Sequence, residues 1–362
     1  MSGADATGMR AAVVGADLSI GVRDVARPAC GPGMVRVAVD ACGLCGSDLH
    51  FHHAKSWPEG LIPGHEITGR IEAIGDAPPA LVTERGLEVG RRVVVEPLVS
   101  CGTCAHCRAG RDSICPSLTL AGVSRAGGFA DSIVMPALRI HPVAEDLDPS
   151  VAALAEPLAV SLHGLDRSGF TPQDRVLVLG AGAIGVLTAF VAHQAGAREV
   201  VVRARHPFQA EQVREIAGAE ARDAHRSIDE DGLDGAFDLV IETVGGASET
   251  LVDAARAARP GGRVGILGLF EPTPPMSPME ALVKELTFHW SNCYCRHVRT
   301  PETSDFSDAA ALLARERERL AGLVTHRVPL DSIGEAFAIA SDKRRGVGKV
   351  CVVRSARSRG SS

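Results

Sequence analysis

The 362-residue chain has no apolar run approaching the roughly 20 residues that a membrane-spanning helix needs. Its opening, MSGADATGMR, lacks the positive region and apolar run of a secretory signal peptide. No block of five or more basic residues occurs, and a net charge of −6 is spread over interspersed acids and bases. Those two absences argue against a nucleic acid or an anionic membrane as partner. There is no internal repeat and no linker longer than a loop. What remains is an ordinary soluble globular composition, 45% hydrophobic, long enough for two domains. The ten cysteines are clustered rather than spread, and in an intracellular protein such clusters are more often metal sites than disulfides. A cytoplasmic location follows as the expectation.

The densest chemistry lies between Cys42 and Glu66. The chain reads C-G-L-C-G-S-D-L-H and then, fourteen residues on, G-H-E, which supplies Cys45, Ser47, Asp48, His50, His65 and Glu66. Thiolate and imidazole suit a borderline-soft ion such as zinc, and a carboxylate can complete the set. A hydroxyl and a second imidazole close behind the thiolate suggest an ion with a proton path beside it. The competing reading is a buried free thiol with satisfied core histidines.

Around this stretch the pattern is mainly β. Short apolar alternations at Ala11–Val14, Val35–Val39, Ile67–Ile74 and Arg92–Glu96 are broken by Pro28, Gly31, Pro32 and Gly33. Residues 1–9, rich in Gly, Ala and Ser, are expected to form a disordered leader. Cys101, Cys104, Cys107 and Cys115 then follow C-x2-C-x2-C-x7-C. Four thiolates on a short loop can close a tetrahedral shell, as a structural zinc site does. Two disulfides or an iron–sulfur cluster are the alternatives. A nucleic-acid-reading zinc module would carry a basic helix next, but residues 118–128 are neutral and glycine-rich.

A helical apolar stretch over 149–168 embeds one charge, Glu156. A lone carboxylate on an apolar face is costly unless it is paired or metal-bound; otherwise it marks a helix break before Pro157. The composition then shifts. Arg175–Leu179 reads as a strand and runs straight into G-A-G-A-I-G, comprising Gly180, Ala181, Gly182, Ala183, Ile184 and Gly185, which opens a helix. Strand, glycine turn and helix make a dinucleotide fingerprint, with the pyrophosphate at the helix N-terminus. The next strand ends V-V-V-R-A-R, so Ala204 stands where an acid would bond a ribose hydroxyl, between Arg203 and Arg205. Loss of the acid and gain of guanidinium favour NADP over NAD, unless the arginines are merely solvated. The alternation continues through 209–217, 237–241, 247–258 and 263–267, a βαβ pattern that predicts a parallel, doubly wound sheet. Val244 and Leu267–Gly268 lie at strand carboxyl ends, the edge where such sheets bind ligands. A helix over 308–320, another over 331–341 and a strand over 348–353 follow, and the last eight residues are expected to be a mobile tail.

Taken together, C-G-S-D-x-x-H at 45–50, G-H-E at 64–66, the four-cysteine lobe, G-A-G-A-I-G, T-H-R-V-P-L-D-S-I-G-E-A-F and the late G-K-V with Lys349 resemble the zinc-dependent medium-chain dehydrogenase/reductase family, which includes the alcohol and polyol dehydrogenases. The resemblance spans nearly the whole chain. It implies an α/β protein: a GroES-like, mainly β catalytic domain over 1–156 and 297–362, with a zinc lobe at 96–116, and a Rossmann domain over 157–296. It further implies two zinc ions, NAD(P), and a homo-oligomer, dimer or tetramer. By position, Cys45 and His65 bind the catalytic zinc, Ser47 bonds the substrate oxygen, and His50 passes its proton outward past the nicotinamide ribose. Alcohol dehydrogenases complete that shell with a second cysteine; here Glu156 takes the place, as in the sorbitol and threonine dehydrogenase branch, within which the alternative is that Glu66 binds the metal directly and Glu156 is reached through water, a choice the sequence leaves open. The implied reaction moves a hydride between a secondary alcohol and the nicotinamide. Epimerisation, lyase or water chemistry with tightly held NADP is a second enzyme class, and a zinc-lobe interaction protein the non-enzyme one. Polar residues at 51–57 and 291–295 hint at a polyol, amino alcohol or sugar-like substrate, or else form a rim without selectivity.

Overall fold

The computed structural model describes residues 8–297 and 303–355. Residues 1–7 of the expected leader and 356–362 of the expected tail lie outside that range. Gly8 and Met9, expected in the leader, belong instead to strand Gly8–Val14, paired antiparallel with Ile20–Ala26. Met9 and Val13 are buried against Ile62, and that apolar contact orders them.

Two sheets position the site. The first has seven strands, and its long member Met34–Gly43 alternates half-buried and buried residues with Val35, Val37 and Val39 facing in. That period of two is what one packed sheet face requires. Strand Met34–Gly43 pairs antiparallel with Glu66–Ile74 on one side and, at its carboxyl end, with Lys349–Val353 on the other. Both ends of the chain therefore close one sheet.

The second sheet has six strands, all parallel, in the order Glu220–Asp223, Glu199–Ala204, Arg175–Leu179, Phe237–Glu242, Ala258–Ile266, Thr287–Trp290. Its inner strands carry unbroken apolar runs, 176–179 and 200–202, because helices cover both faces. The order reverses direction between Arg175–Leu179 and Phe237–Glu242, and a crevice opens at such a switch point beyond the carboxyl ends. Helix Ala183–Gln194 is buried continuously from Gly185 to Ala192, so it reads as apolar on all sides. Leu158 of helix Ala155–Arg167 shares one core with Val94 from the first sheet and Val178 from the second, which ties the two together.

One element departs from the strand pattern of the first region. Gly46–Ala54 is a helix, although among its residues only Asp48 is buried. Leu49 and Phe51 pack half-buried against the core of the first sheet, and the helix is fixed at its start as well: the Asp48 carboxylate accepts the Cys45 N–H at 2.9 Å and opposes the positive end of the helix.

Candidate active site

Three segments meet where the first sheet faces the crevice. Cys45 caps the helix Gly46–Ala54, while His65 and Glu66 begin the neighbouring strand. The ligand atoms of Cys45, His65 and Glu66 all lie within 4.8 Å of one another. Gly43 sits opposite Glu66 in the register, and a Cβ there would stand 1.9 Å from Glu66 Oε2, so only glycine leaves room for the carboxylate. Gly64, at φ +94°, turns the chain into His65 against the Cys42 thiol and Phe129. Cys42 itself is buried, and burial pushes its thiol up well above the usual range, which suits the packing role its position predicts.

Each ligand has a support. Asp48 Oδ1 faces His65 Nδ1 at 3.5 Å, and Lys349 Nζ donates to Glu66 Oε1 at 2.6 Å and to the Leu44 carbonyl at 3.4 Å. Glu66 Oε2 is buried with no hydrogen-bond partner. A buried acceptor in that state calls for a cation. Burial works against a charged His65, but the Asp48 carboxylate and Cys45 outweigh it and hold the imidazole proton well above its ordinary range. Thiolate, imidazole and carboxylate converging on one buried point fit a zinc ion.

Glu156 lies on the first turn of its helix, buried, and is not a member of the three-ligand group. Burial raises its carboxyl to about 7, with His65 opposing and Glu66 reinforcing the shift. Of the two carboxylates that the sequence offers, Glu66 is the one grouped with Cys45 and His65. Cys293 feels the same site: burial pushes its thiol up to about 12, reinforced by Glu156. Its backbone is left-handed at φ +51°. In the other such stretch residues 53–56 are exposed, while Trp57 is buried in the core, edge-on to Phe337 at 6.1 Å.

Ser47 Oγ lies 3.4 Å from His65 Nε2, beside the ligand group. His50 is one turn further along the same helix, and its Nε2 meets Glu271 Oε2 at 2.7 Å.

The four-cysteine loop has closed on itself. Sulfur–sulfur distances are 3.9 Å for Cys101–Cys107, 3.5 Å for Cys104–Cys107 and 4.0 Å for Cys104–Cys115. A tetrahedron with metal–sulfur bonds of about 2.3 Å has edges of about 3.8 Å. None of these cysteines is disulfide-bonded, which removes the two-disulfide alternative. Backbone N–H groups of Thr103 and Cys104 bring the Cys101 thiol down to about 6, while burial raises Cys107 to about 12. Arg296 pins the loop by donating to Asp112 and to the Cys107 carbonyl.

A cleft of about 520 Å³ runs from Cys45 along the glycine turn, lined also by Gly180, Gly182, Ala183, Ile184, Arg203, Arg205, Val244 and Lys349. Gly180 is left-handed at φ +102°, and a Cβ on Gly185 would stand 1.9 Å from the Gly180 carbonyl oxygen. A Cβ on Gly182 would meet nothing within 4 Å: it faces open cleft, where a phosphate can approach the backbone. Ala204 is buried at the strand end. Arg203 is buried too and turns away, donating to the carbonyls of Asp223 and Arg226. Arg205 is exposed at the cleft, and among the described residues its guanidinium has no ion-pair partner. Leu267 packs over Gly164, and Gly268 abuts Glu242 and Gly245.

Sequence reasoning assigned no role to Asp48, Glu242 or Glu271, and read Lys349 as a cofactor contact alone. Asp48 stands inside C-G-S-D, so its spacing was the available signal. Glu242 is buried at the end of its strand and accepts from the N–H groups of Val244 and Gly245 and the Thr250 hydroxyl. It thereby shapes the turn that borders the cleft, although burial raises its carboxyl.

Residues 31–145 match the family model of the alcohol dehydrogenase GroES-like domain, and residues 149–348 that of the glucose dehydrogenase C-terminus. An L-threonine 3-dehydrogenase of Mesorhizobium japonicum is 29% identical over 334 residues, 89% of this chain and 92% of the relative. A 2-dehydro-3-deoxy-L-galactonate 5-dehydrogenase of Pseudoalteromonas atlantica is 31% identical over 322 residues, 87% of this chain and 90% of the relative. Among solved structures, a chain from Sinorhizobium meliloti 1021, described as a zinc-binding dehydrogenase and bound to NADP, superposes with a TM-score of 0.84 at 30% identity. That match covers 96% of this chain and 99% of the other.

Proposed function

The chain belongs to the zinc-dependent medium-chain dehydrogenase/reductase family, and from that membership we propose that it interconverts a secondary alcohol and its ketone with NADP as the preferred cofactor. The observation that carries this reading is the convergence of Cys45, His65 and Glu66 at one end of a cleft whose other end is the glycine turn.

When bound, the zinc ion supplies Lewis acidity toward an alcohol oxygen and the nicotinamide accepts a hydride. Cys45, His65 and Glu66 hold the ion, Asp48 orients His65, and Lys349 orients Glu66. Ser47 takes the hydroxyl proton from the substrate, and His50 carries it toward solvent. Glu156, buried and electrostatically linked to His65 and Glu66, would be a further carboxylate available to the ion. The glycine turn from Gly180 to Gly185 receives the pyrophosphate, and the unpaired Arg205 faces a ribose 2′-phosphate. We assign a second, structural zinc to Cys101, Cys104, Cys107 and Cys115.

We place the catalytic domain at 1–156 and 297–362 and the cofactor domain at 157–296, in a cytoplasmic dimer or tetramer. The substrate class is a polyol, amino alcohol or sugar-like alcohol, in keeping with the relatives named for threonine and a deoxygalactonate. A panel of secondary alcohols with both cofactors, read at the reduced-nicotinamide absorbance, tests the reading. Cys45→Ser is expected to abolish turnover while cofactor binding persists; an active Cys45→Ser enzyme rules out the metal assignment.

A further inference from the structure

The contact between His50 and Glu271 joins the two sheet systems across the crevice. His50 rides on the helix that starts at Cys45, while Glu271 follows the strand Ala258–Ile266 of the parallel sheet. They are 221 residues apart in sequence, and His50 Nε2 lies 2.7 Å from Glu271 Oε2, the short end of the range for a charge-assisted bond. Among the described residues the His50 ring makes no other hydrogen bond, and its remaining neighbour is the edge of Phe51. Glu271 is 68% exposed and so stands at the boundary with water.

A carboxylate at neutral pH can only accept, and a neutral imidazole has one N–H and one lone pair. The contact therefore requires the proton of neutral His50 to be on Nε2, which leaves Nδ1 as the basic nitrogen. We infer that Glu271 is a positioning residue of the proton path: it fixes His50 in the Nε2-protonated tautomer and steadies the imidazolium that forms. The inference rests on the alcohol-oxidation reading above. The proton leaving the substrate hydroxyl through Ser47 arrives on His50 Nδ1, the imidazolium keeps its Nε2–H on Glu271, and Nδ1 then releases its proton to water, which restores the starting tautomer. The electron pair of the broken C–H bond leaves with the hydride to the nicotinamide, so Glu271 handles protons only. The same logic, a carboxylate behind an imidazole that selects its tautomer, operates in hydrolytic triads. An exposed ion pair adds little to stability by itself, so a purely mechanical clasp predicts different behaviour.

The test uses zinc- and NADP-loaded protein labelled with ¹⁵N-histidine, wild type against Glu271→Ala, with His50→Gln to assign the ring signals. Wild-type His50 is expected to show the Nε2–H tautomer, and Glu271→Ala a mixture of both. In alcohol oxidation Glu271→Ala is expected to lower kcat about tenfold, leave the KM for NADP within about twofold, and recover rate when imidazole is added to the buffer. An Nδ1–H tautomer in the wild type, or an unchanged tautomer in Glu271→Ala, overturns the inference. So does a loss of rate that follows cofactor affinity and resists added imidazole, since that is a clasp. The spectrum does not depend on turnover: a wild type inactive on every alcohol sinks the parent reading, while the tautomer still decides the role of Glu271.

Discussion

Lys349→Met removes the ammonium that faces Glu66 and leaves the carboxylate in place. The pair is 2.6 Å long, with side-chain exposures of 4% for the lysine and 0% for the glutamate. At an effective dielectric of about 20, charges at that distance attract by about 6 kcal/mol, an upper bound before desolvation is counted. Removing one partner of a buried pair costs about 3–5 kcal/mol, because the other charge stays buried. When the metal is absent the cost of the orphaned Glu66 charge falls on the fold, since Oε2 already lacks a partner. With zinc bound, the ion replaces the lost positive charge. Metal-stripped Lys349→Met is therefore expected to melt about 4–7 °C below stripped wild type, given the unfolding entropy of a chain this long, and zinc is expected to narrow the gap. Lys349→Met combined with Glu66→Gln should recover most of the loss in the stripped protein, because the orphaned charge is gone. Differential scanning calorimetry with and without chelator makes the comparison. A stripped single variant within about 2 °C of wild type, or a double variant no better than the single one, refutes the reasoning.

Arg205→Ser is expected to weaken NADP binding about tenfold while NAD binding changes little, the lower end for a charged hydrogen bond because the guanidinium is exposed; fluorescence titration with both reduced cofactors measures the ratio, and an unchanged ratio removes Arg205 from the 2′-phosphate site. Cys104→Ser opens the four-thiolate shell and is expected to lower bound zinc by one ion per chain and Tm by more than about 5 °C, read by elemental analysis and a thermal melt. Wild-type zinc content in that variant counts against a structural ion there. Protons compete with metal at His65, whose ion-free imidazole holds its proton well above the ordinary range. Zinc affinity of the Cys45 site is thus expected to rise with pH, by about tenfold per pH unit below that group's titration. Chelator competition at about pH 6 and about pH 8 gives the slope, and a flat profile contradicts the ligand assignment.

The strands and the glycine turn were legible because their signals are local. Val35, Val37 and Val39 alternate, and the valines of Glu199–Ala204 run together as a strand covered on both faces must. The helix Gly46–Ala54 carried little periodic signal, since only Leu49 and Phe51 pack on the core and a polar cap fixes its start. Nor could sequence choose between Glu66 and Glu156, because that choice depends on which carboxylate the strand register delivers to Cys45 and His65. Lys349 and Glu66 are 283 residues apart, and His50 and Glu271 are 221 apart. Charge partners at such separations leave no pattern in a single sequence; only the closed sheet and the crevice bring them together. Trp57 was misjudged for a related reason: an aromatic on a polar loop looks like rim until Phe337, from a distant helix, covers it.

The strand Lys349–Val353 enters the first sheet beside Met34–Gly43, and a ribosome reaches it 283 residues after Glu66. A nascent chain that has already emitted Cys45, His65 and Glu66 still lacks the cation that neutralises Glu66 and the edge that seals the sheet. Loading of the reactive centre is thus deferred until that strand has been made, whereas the four-thiolate loop, complete by Cys115, can capture its ion earlier. A transcript cut short before Lys349 would yield a product able to hold metal in the loop and unable to assemble the centre that does chemistry.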